Sequence, residues 1–186
     1  MLRFVIASVL GLMSAFVMFA GAVKAGDLPE SFPIRQTISG TDLVLNGYGV
    51  RERLFLDVYG CALYAPRKSS SSDYLMAPTT PTAIRIRVDL TPPADPPARW
   101  EETFRNALNP ALYARLVRTY ETLAAGDTLL FTYSPKSGTS AYLNNRHVFT
   151  VAGHDLMRGL LDQWLGPYPV SAELRRDLLN ELPPSL

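Results

Sequence analysis

Two side chains carry the clearest chemical meaning in this 186-residue chain: Arg51 and Tyr59, set in a largely aliphatic and aromatic run over residues 47–66. An arginine offers a planar fork of donors that grips a carboxylate at two points or stabilises a developing oxyanion. A tyrosine hydroxyl beside it adds a further donor, or a proton to give and take. Such a pair suits anion binding, or cofactor-free acid–base work on an enone-type substrate. Blander roles stay open: Arg51 in a strand ion pair with Glu52 or Asp57, and Tyr59 in the core with its hydroxyl bonded to backbone.

Other chemistries find little support. The two histidines, His147 and His154, and the lone Cys61 show no H-E-x-x-H or C-x-x-C spacing, which argues against a metal site. There is no G-x-S-x-G elbow and no P-loop. Gly47-Tyr48-Gly49 lacks a third glycine and runs into strand formers, so its glycines fit a bend or bulge better than a phosphate loop. Cys61 lies mid-run and reads as a small buried hydrophobe.

The elements that must position these residues follow from periodicity. Short strands are predicted over residues 33–39 and 42–46 around a Ser39-Gly40-Thr41 turn, followed by one long strand through residues 47–66. Residues 82–90 alternate, with Ile84, Ile86 and Val88 on one face and Ala83, Arg85, Arg87 and Asp89 on the other. Asp73 is placed to cap a short helical turn, and Asp95-Pro96 to start a longer helix with the stripe Trp100, Thr103, Phe104, Ala107 and Leu108. Asn109-Pro110 opens the next helix, whose apolar face is Leu112, Leu116, Tyr120 and Leu123.

Strands return at residues 128–133, 139–143 and 147–151, linked by turn chemistry that includes Asn144-Asn145. Two more helices follow, one with Leu156, Leu160, Leu161, Trp164 and Leu165, the other capped by Ser171 and carrying Leu174, Leu178 and Leu182. Short links demand antiparallel pairing. The fold class expected is α+β: one strongly curved antiparallel sheet with helices on one face.

Composition, 47% hydrophobic and 19% charged, suits a single domain over residues 26–186. Residues 1–25 read as a signal peptide: Arg3, an apolar run over residues 4–20, and Val23-Lys24-Ala25 before a cut after Ala25. The expected location is periplasmic or secreted. The alternative is an uncleaved anchor, since the run approaches the ~20 residues that span a bilayer; it would keep the domain close to a membrane. Losing Arg3 and Lys24 leaves 16 basic against 17 acidic residues, a net charge near −1 that gives nucleic acid no handle.

Four stretches in order resemble one family: residues 45–51, residues 58–64, Tyr133-Ser134-Pro135 with Gly138-Thr139, and residues 164–170. Together they are similar to the chalcone isomerase-like family, in its exported bacterial branch, over nearly all of the mature chain. The resemblance implies an open-faced β-sandwich, with a ligand cleft between a large curved sheet and its helices. Plant enzymes of the family close a phenolic chalcone to a flavanone without a cofactor, and related plastid members only bind fatty acids. Carried over by motif, the family's arginine falls on Arg51. The enzymes' threonine falls on Tyr59, where the fatty-acid-binding branch has a tyrosine that joins the arginine on the carboxylate. A hydroxyl residue near the C-terminal helix falls on Gln163, and a helical asparagine on Asn106, which leaves Arg99 where the enzymes have a tyrosine.

Arg51 and Tyr59 are eight residues apart, and a straight strand would separate them by roughly 26 Å at ~3.3 Å per residue. They share a ligand only if the chain folds back near residues 53–57; otherwise Arg53, Arg85 or Arg87 must complete the anchor. The changed enzyme positions favour a non-catalytic binder of a small amphipathic acid, with Arg51 and Tyr59 on its head and no cofactor or metal. Two readings stand beside it: an isomerase, or intramolecular lyase, acting on a chalcone- or enone-type substrate with Arg51 and Tyr59 as catalytic groups, and an envelope protein that binds a protein partner.

Overall fold

The computed structural model describes residues 30–92 and 97–181. Seven strands, β1 (Arg35–Ile38), β2 (Thr41–Arg53), β3 (Leu56–Ala65), β4 (Thr82–Val88), β5 (Thr128–Ser134), β6 (Gly138–Leu143) and β7 (Arg146–Val151), lie in sequence order in one curled antiparallel sheet. Among the described residues five helices accompany it: α1 (Ser72–Leu75), α2 (Ala98–Ala107), α3 (Pro110–Glu121), α4 (Asp155–Leu165) and α5 (Ala172–Leu178). The expected α+β layering is what the chain adopts. The expected leader over residues 1–25, the helix start at Asp95-Pro96 and the contribution of Leu182 lie outside the described residues.

The run over residues 47–66 is not a single strand but parts of β2 and β3, folded back on each other at Leu54-Phe55. Both turn residues are left-handed, with φ of 51° and 66°, which makes a two-residue hairpin of the type that matches strand twist. The same backbone recurs at Ser39-Gly40 and at Asn144-Asn145, where the residue types suit it. At the tip of β2 and β3 they do not, and a left-handed L residue costs roughly 1 kcal/mol or more. The turn was invisible because neither Leu nor Phe is a turn former.

β2 also absorbs the predicted strand over residues 42–46 and runs through Gly47 and Gly49, with a bulge between Leu45 and Gly47. The glycines serve close approach as well. The C-terminal end of α5 lies on β2 so tightly that a Cβ at Gly47 would meet the backbone carbonyls of Asp177 and Leu178. Between them the buried Asn46 amide donates to the Leu178 carbonyl at 2.7 Å and to the Ser69 carbonyl at 3.0 Å, and accepts from the Ser69 N–H at 2.7 Å. That side chain ties the C-terminal helix and the loop before α1 to one point of the sheet.

The main core fills the space between the sheet and the helices. Ile84, Ile86 and Val88 of β4 point there as their alternation predicts, with Cys61, Leu63 and Phe131 beside them and Phe104, Leu116, Leu160 and Trp164 above. Trp100 packs edge-on against both Phe104 and Trp164, each at 5.8 Å between ring centroids. The other face carries a smaller cluster of Phe32, Leu43, Ala62, Tyr64 and Ala83. Arg85 and Arg87 belong to that face: Arg85 Nη2 donates to Gln36 Oε1 at 3.2 Å, and Arg87 Nε pairs with Asp89 Oδ1 at 2.7 Å. Asn109 and Ser171 cap α3 and α5 as expected, while Ser71, not Asp73, caps α1.

Candidate functional site

The fold-back at residues 54–55 puts Arg51 of β2 directly opposite Tyr59 of β3. Directly opposed residues have Cα atoms about 4.5–5.5 Å apart, so the ~26 Å of a straight strand does not arise. An irregularity in the ladder follows immediately: Glu52 pairs with Asp57, leaving Val58 as the extra residue. A bulge of this kind twists the strand and re-aims the side chains beside it.

Arg51, Tyr59 and Gln163 line one cavity of about 530 Å³ between the sheet and the helical layer. Its floor includes Ile86, Val88 and Leu129, and its roof Trp100, Leu123 and Val170. Among the described residues the charged ones on its wall are Arg51, Arg53 and Arg99, with no carboxylate. Arg85 and Arg87, on the opposite face, take no part. The cavity is therefore an apolar space whose polar end is cationic.

Tyr59 is held by a residue that sequence reasoning left in the core. Trp164 Nε1 on α4 donates to the Tyr59 hydroxyl at 2.9 Å. That bond uses an oxygen lone pair and leaves the phenolic proton available to a ligand oxygen. Burial raises the Tyr59 pKa far above the usual tyrosine range, the Cys61 thiol beside it acts the same way, and the Trp164 bond and Arg51 oppose the shift only partly. Tyr59 is thus a standing donor at neutral pH. The signal for Trp164 was its own indole N–H, which needs a partner wherever a tryptophan is buried.

Arg51 is half-buried, and Nη1 donates to the Glu52 carbonyl at 3.0 Å. Among the described residues its guanidinium forms no salt bridge with Glu52, Asp57 or any other carboxylate. Arg99 is engaged: Nη1 donates to the Tyr168 carbonyl at 2.5 Å, and Nη2 lies 3.6 Å from Asp162 Oδ2.

Gln163 is 3% exposed. Its Nε2 donates to the Thr103 hydroxyl at 3.1 Å and the Arg99 carbonyl at 3.3 Å, bolting α4 to α2, while Oε1 finds no partner among the described residues. Asn106 is not brought to this cavity. It lines a separate groove of about 480 Å³ on the outer side of α2 and α4, beside Glu102, Asp155 and Arg158. The core-facing stripe of α2 runs through Trp100 and Phe104, and position 106 lies off it. Among the described residues there is also no cluster of three or more His, Cys, Asp or Glu that could hold a metal.

The burial that keeps Tyr59 protonated acts likewise on Tyr64 and Cys61. Groups whose folded pKa is raised contribute stability that is full below their unfolded values, here 9.0 for the thiol and 10.0 for the phenols, and lost as pH climbs beyond them. Denaturation midpoints should therefore stay level from neutrality to about pH 9 and then fall. A flat profile to strongly alkaline pH would mean that these groups are not buried.

No curated protein matches this chain. Among solved structures, a fatty-acid binding protein of Arabidopsis thaliana matches with a TM-score of 0.52 at 21% identity, covering 80% of this chain and 91% of that one. At that identity the likeness is one of fold: the curled sheet and its helical layer. The family model described as "Chalcone isomerase-like" matches residues 24–180, which take in every strand and helix among the described residues. The chain belongs to the chalcone isomerase-like family.

Proposed function

We propose that this protein is an exported, cofactor-free binder of a small amphipathic acid, such as a fatty acid, and not an enzyme. The observation that carries the reading is the cross-strand pair Arg51–Tyr59 at the cationic end of an apolar cavity of about 530 Å³, inside the ~300–1,000 Å³ range of small-molecule sites. The guanidinium takes the carboxylate in its fork, Tyr59 adds a hydrogen bond, and the tail lies along Ile86, Val88, Leu129 and Trp100. The fatty-acid binding protein of similar fold supports the choice of ligand class. Export rests on the signal-like residues 1–25 alone.

The isomerase reading is weaker at one point. A residue that shuttles protons near neutrality needs a pKa matched to that pH, and burial moves Tyr59 the other way. Native mass spectrometry tests both. The purified protein should carry, or take up from added oleate, one acid per chain, and Arg51→Ala should release it. No adduct with either ligand source would overturn the binder. Turnover of a chalcone that disappears in Arg51→Ala would put an enzyme in its place.

A further inference from the structure

The tip of the β2–β3 hairpin has no structural reason to be what it is. Leu54 is 81% exposed, Phe55 100% and Leu56 56%, so their packing repays little of the left-handed backbone at 54 and 55. Two other turns of this chain have the same geometry and use Ser39-Gly40 and Asn144-Asn145, the residue types the conformation favours. Those turns act as an internal control. The same problem is solved conventionally twice, and at the third site bulky apolar side chains are thrust into solvent instead. Strain retained without local compensation points to a role outside the fold.

Its position suggests which role. The tip continues directly from Arg51 and Arg53, which form part of the cavity wall, and Leu90 on the same wall is also exposed. Leu90 is held there by its N–H bond to the Val58 carbonyl at 3.1 Å. Strand alternation sets Glu52 on the face opposite Arg51 and Arg53, and Asp57 is its cross-strand partner. The cavity side of the hairpin is accordingly basic. The end of the cavity thus combines an apolar wedge with arginines suited to phosphate oxygens.

We propose that the hairpin tip docks on a lipid bilayer, Leu54 and Phe55 entering the interface while the exposed Arg53 at the cavity wall faces anionic headgroups. This rests on the acid-binding reading only for its purpose, the transfer of an acid between membrane and cavity. Three apolar residues are too few for a stable protein interface, which buries about 800 Å² on each partner. A bilayer asks for less: a few aromatic and aliphatic side chains at headgroup depth, backed by cations.

Flotation with vesicles tests the docking. The protein starting at Gly26 retains every strand and helix described, and removes the apolar run over residues 4–20 as a source of membrane binding. It should float with vesicles of phosphatidylcholine plus phosphatidylglycerol, less with phosphatidylcholine alone, and less in high salt. The double substitution Leu54→Asn/Phe55→Gly should weaken vesicle affinity ~10-fold or more. The same substitution should raise the melting temperature, because Asn-Gly suits the turn, so the loss cannot be blamed on unfolding. Binding of dissolved oleate should be unchanged in that variant. Equal flotation of parent and variant, or none by the parent, would overturn the docking. A parent that floats but binds no oleate would instead overturn the acid-binding reading and leave the docking standing.

Discussion

Gly47→Ala should destabilise the protein by about 3 kcal/mol or more, because the new Cβ has nowhere to go. It would lie on the backbone carbonyls of Asp177 and Leu178, 2.7 Å from the Leu178 carbonyl carbon, and backbone at a helix end cannot swing aside as a side chain can. Overpacking of this sort costs roughly 1–3 kcal/mol. Lifting α5 would also break the buried bond from Asn46 to the Leu178 carbonyl, adding about 1–3 kcal/mol. The two together are a large part of a typical stability of about 5–15 kcal/mol. A thermal melt should fall by about 10 °C. Gly49→Ala is the control. Its Cβ would meet the Asp177 carboxylate at 2.7 Å, the Asp177 Cβ at 2.8 Å and a Leu174 methyl at 2.8 Å, side-chain atoms and not the backbone carbonyls that block Gly47, so the loss there should be smaller, about 1–2 kcal/mol. Equal melts for the two variants would show that α5 slides freely on β2.

The sheet was largely legible in the sequence because its turns announce themselves. Asn144-Asn145 and Ser39-Gly40 are residues that tolerate left-handed backbone, and the strands beside them alternate. Where a turn is made of Leu54 and Phe55, periodicity sees only more strand. The resulting single-strand reading had a direct consequence for the site: it separated Arg51 from Tyr59 when the fold pairs them. Gly47 and Gly49 were legible as a bulge, but not as the bed of α5, since the partner lies some 130 residues on. Asn106 was assigned by resemblance alone, and helical geometry decides against its sharing the cavity with Arg51. Trp164 sat correctly in an apolar stripe, yet its hydrogen bond to Tyr59 depends on how α4 lies across β3. No local pattern encodes that.

Arg51 and Tyr59 should separate cleanly in their effects on affinity and on stability. Arg51 is half-buried and free of salt bridges among the described residues, so Arg51→Ala should leave stability within about 0.5 kcal/mol. Removing a charge-assisted bond to a carboxylate costs about 1.5–3 kcal/mol, which weakens acid binding roughly 10- to 150-fold. Arg51→Lys should fall between, keeping the charge and losing the fork. Tyr59→Phe removes a neutral donor and should weaken binding only a few-fold, by about 0.5–1.5 kcal/mol. It also strands the Trp164 indole N–H in the core, at about 1–3 kcal/mol of stability. One variant thus loses ligand without stability, and the other loses both. If the two side chains grip one carboxylate, the double variant should deviate from additivity by at least ~0.5 kcal/mol. Strict additivity would place them on different parts of the ligand or leave Tyr59 outside the site. Affinity should also be level between about pH 6 and about pH 9, because burial keeps the Tyr59 phenol protonated throughout that range. A bell-shaped activity profile centred near neutrality would require a proton-shuttling group and would favour the isomerase reading over the binder.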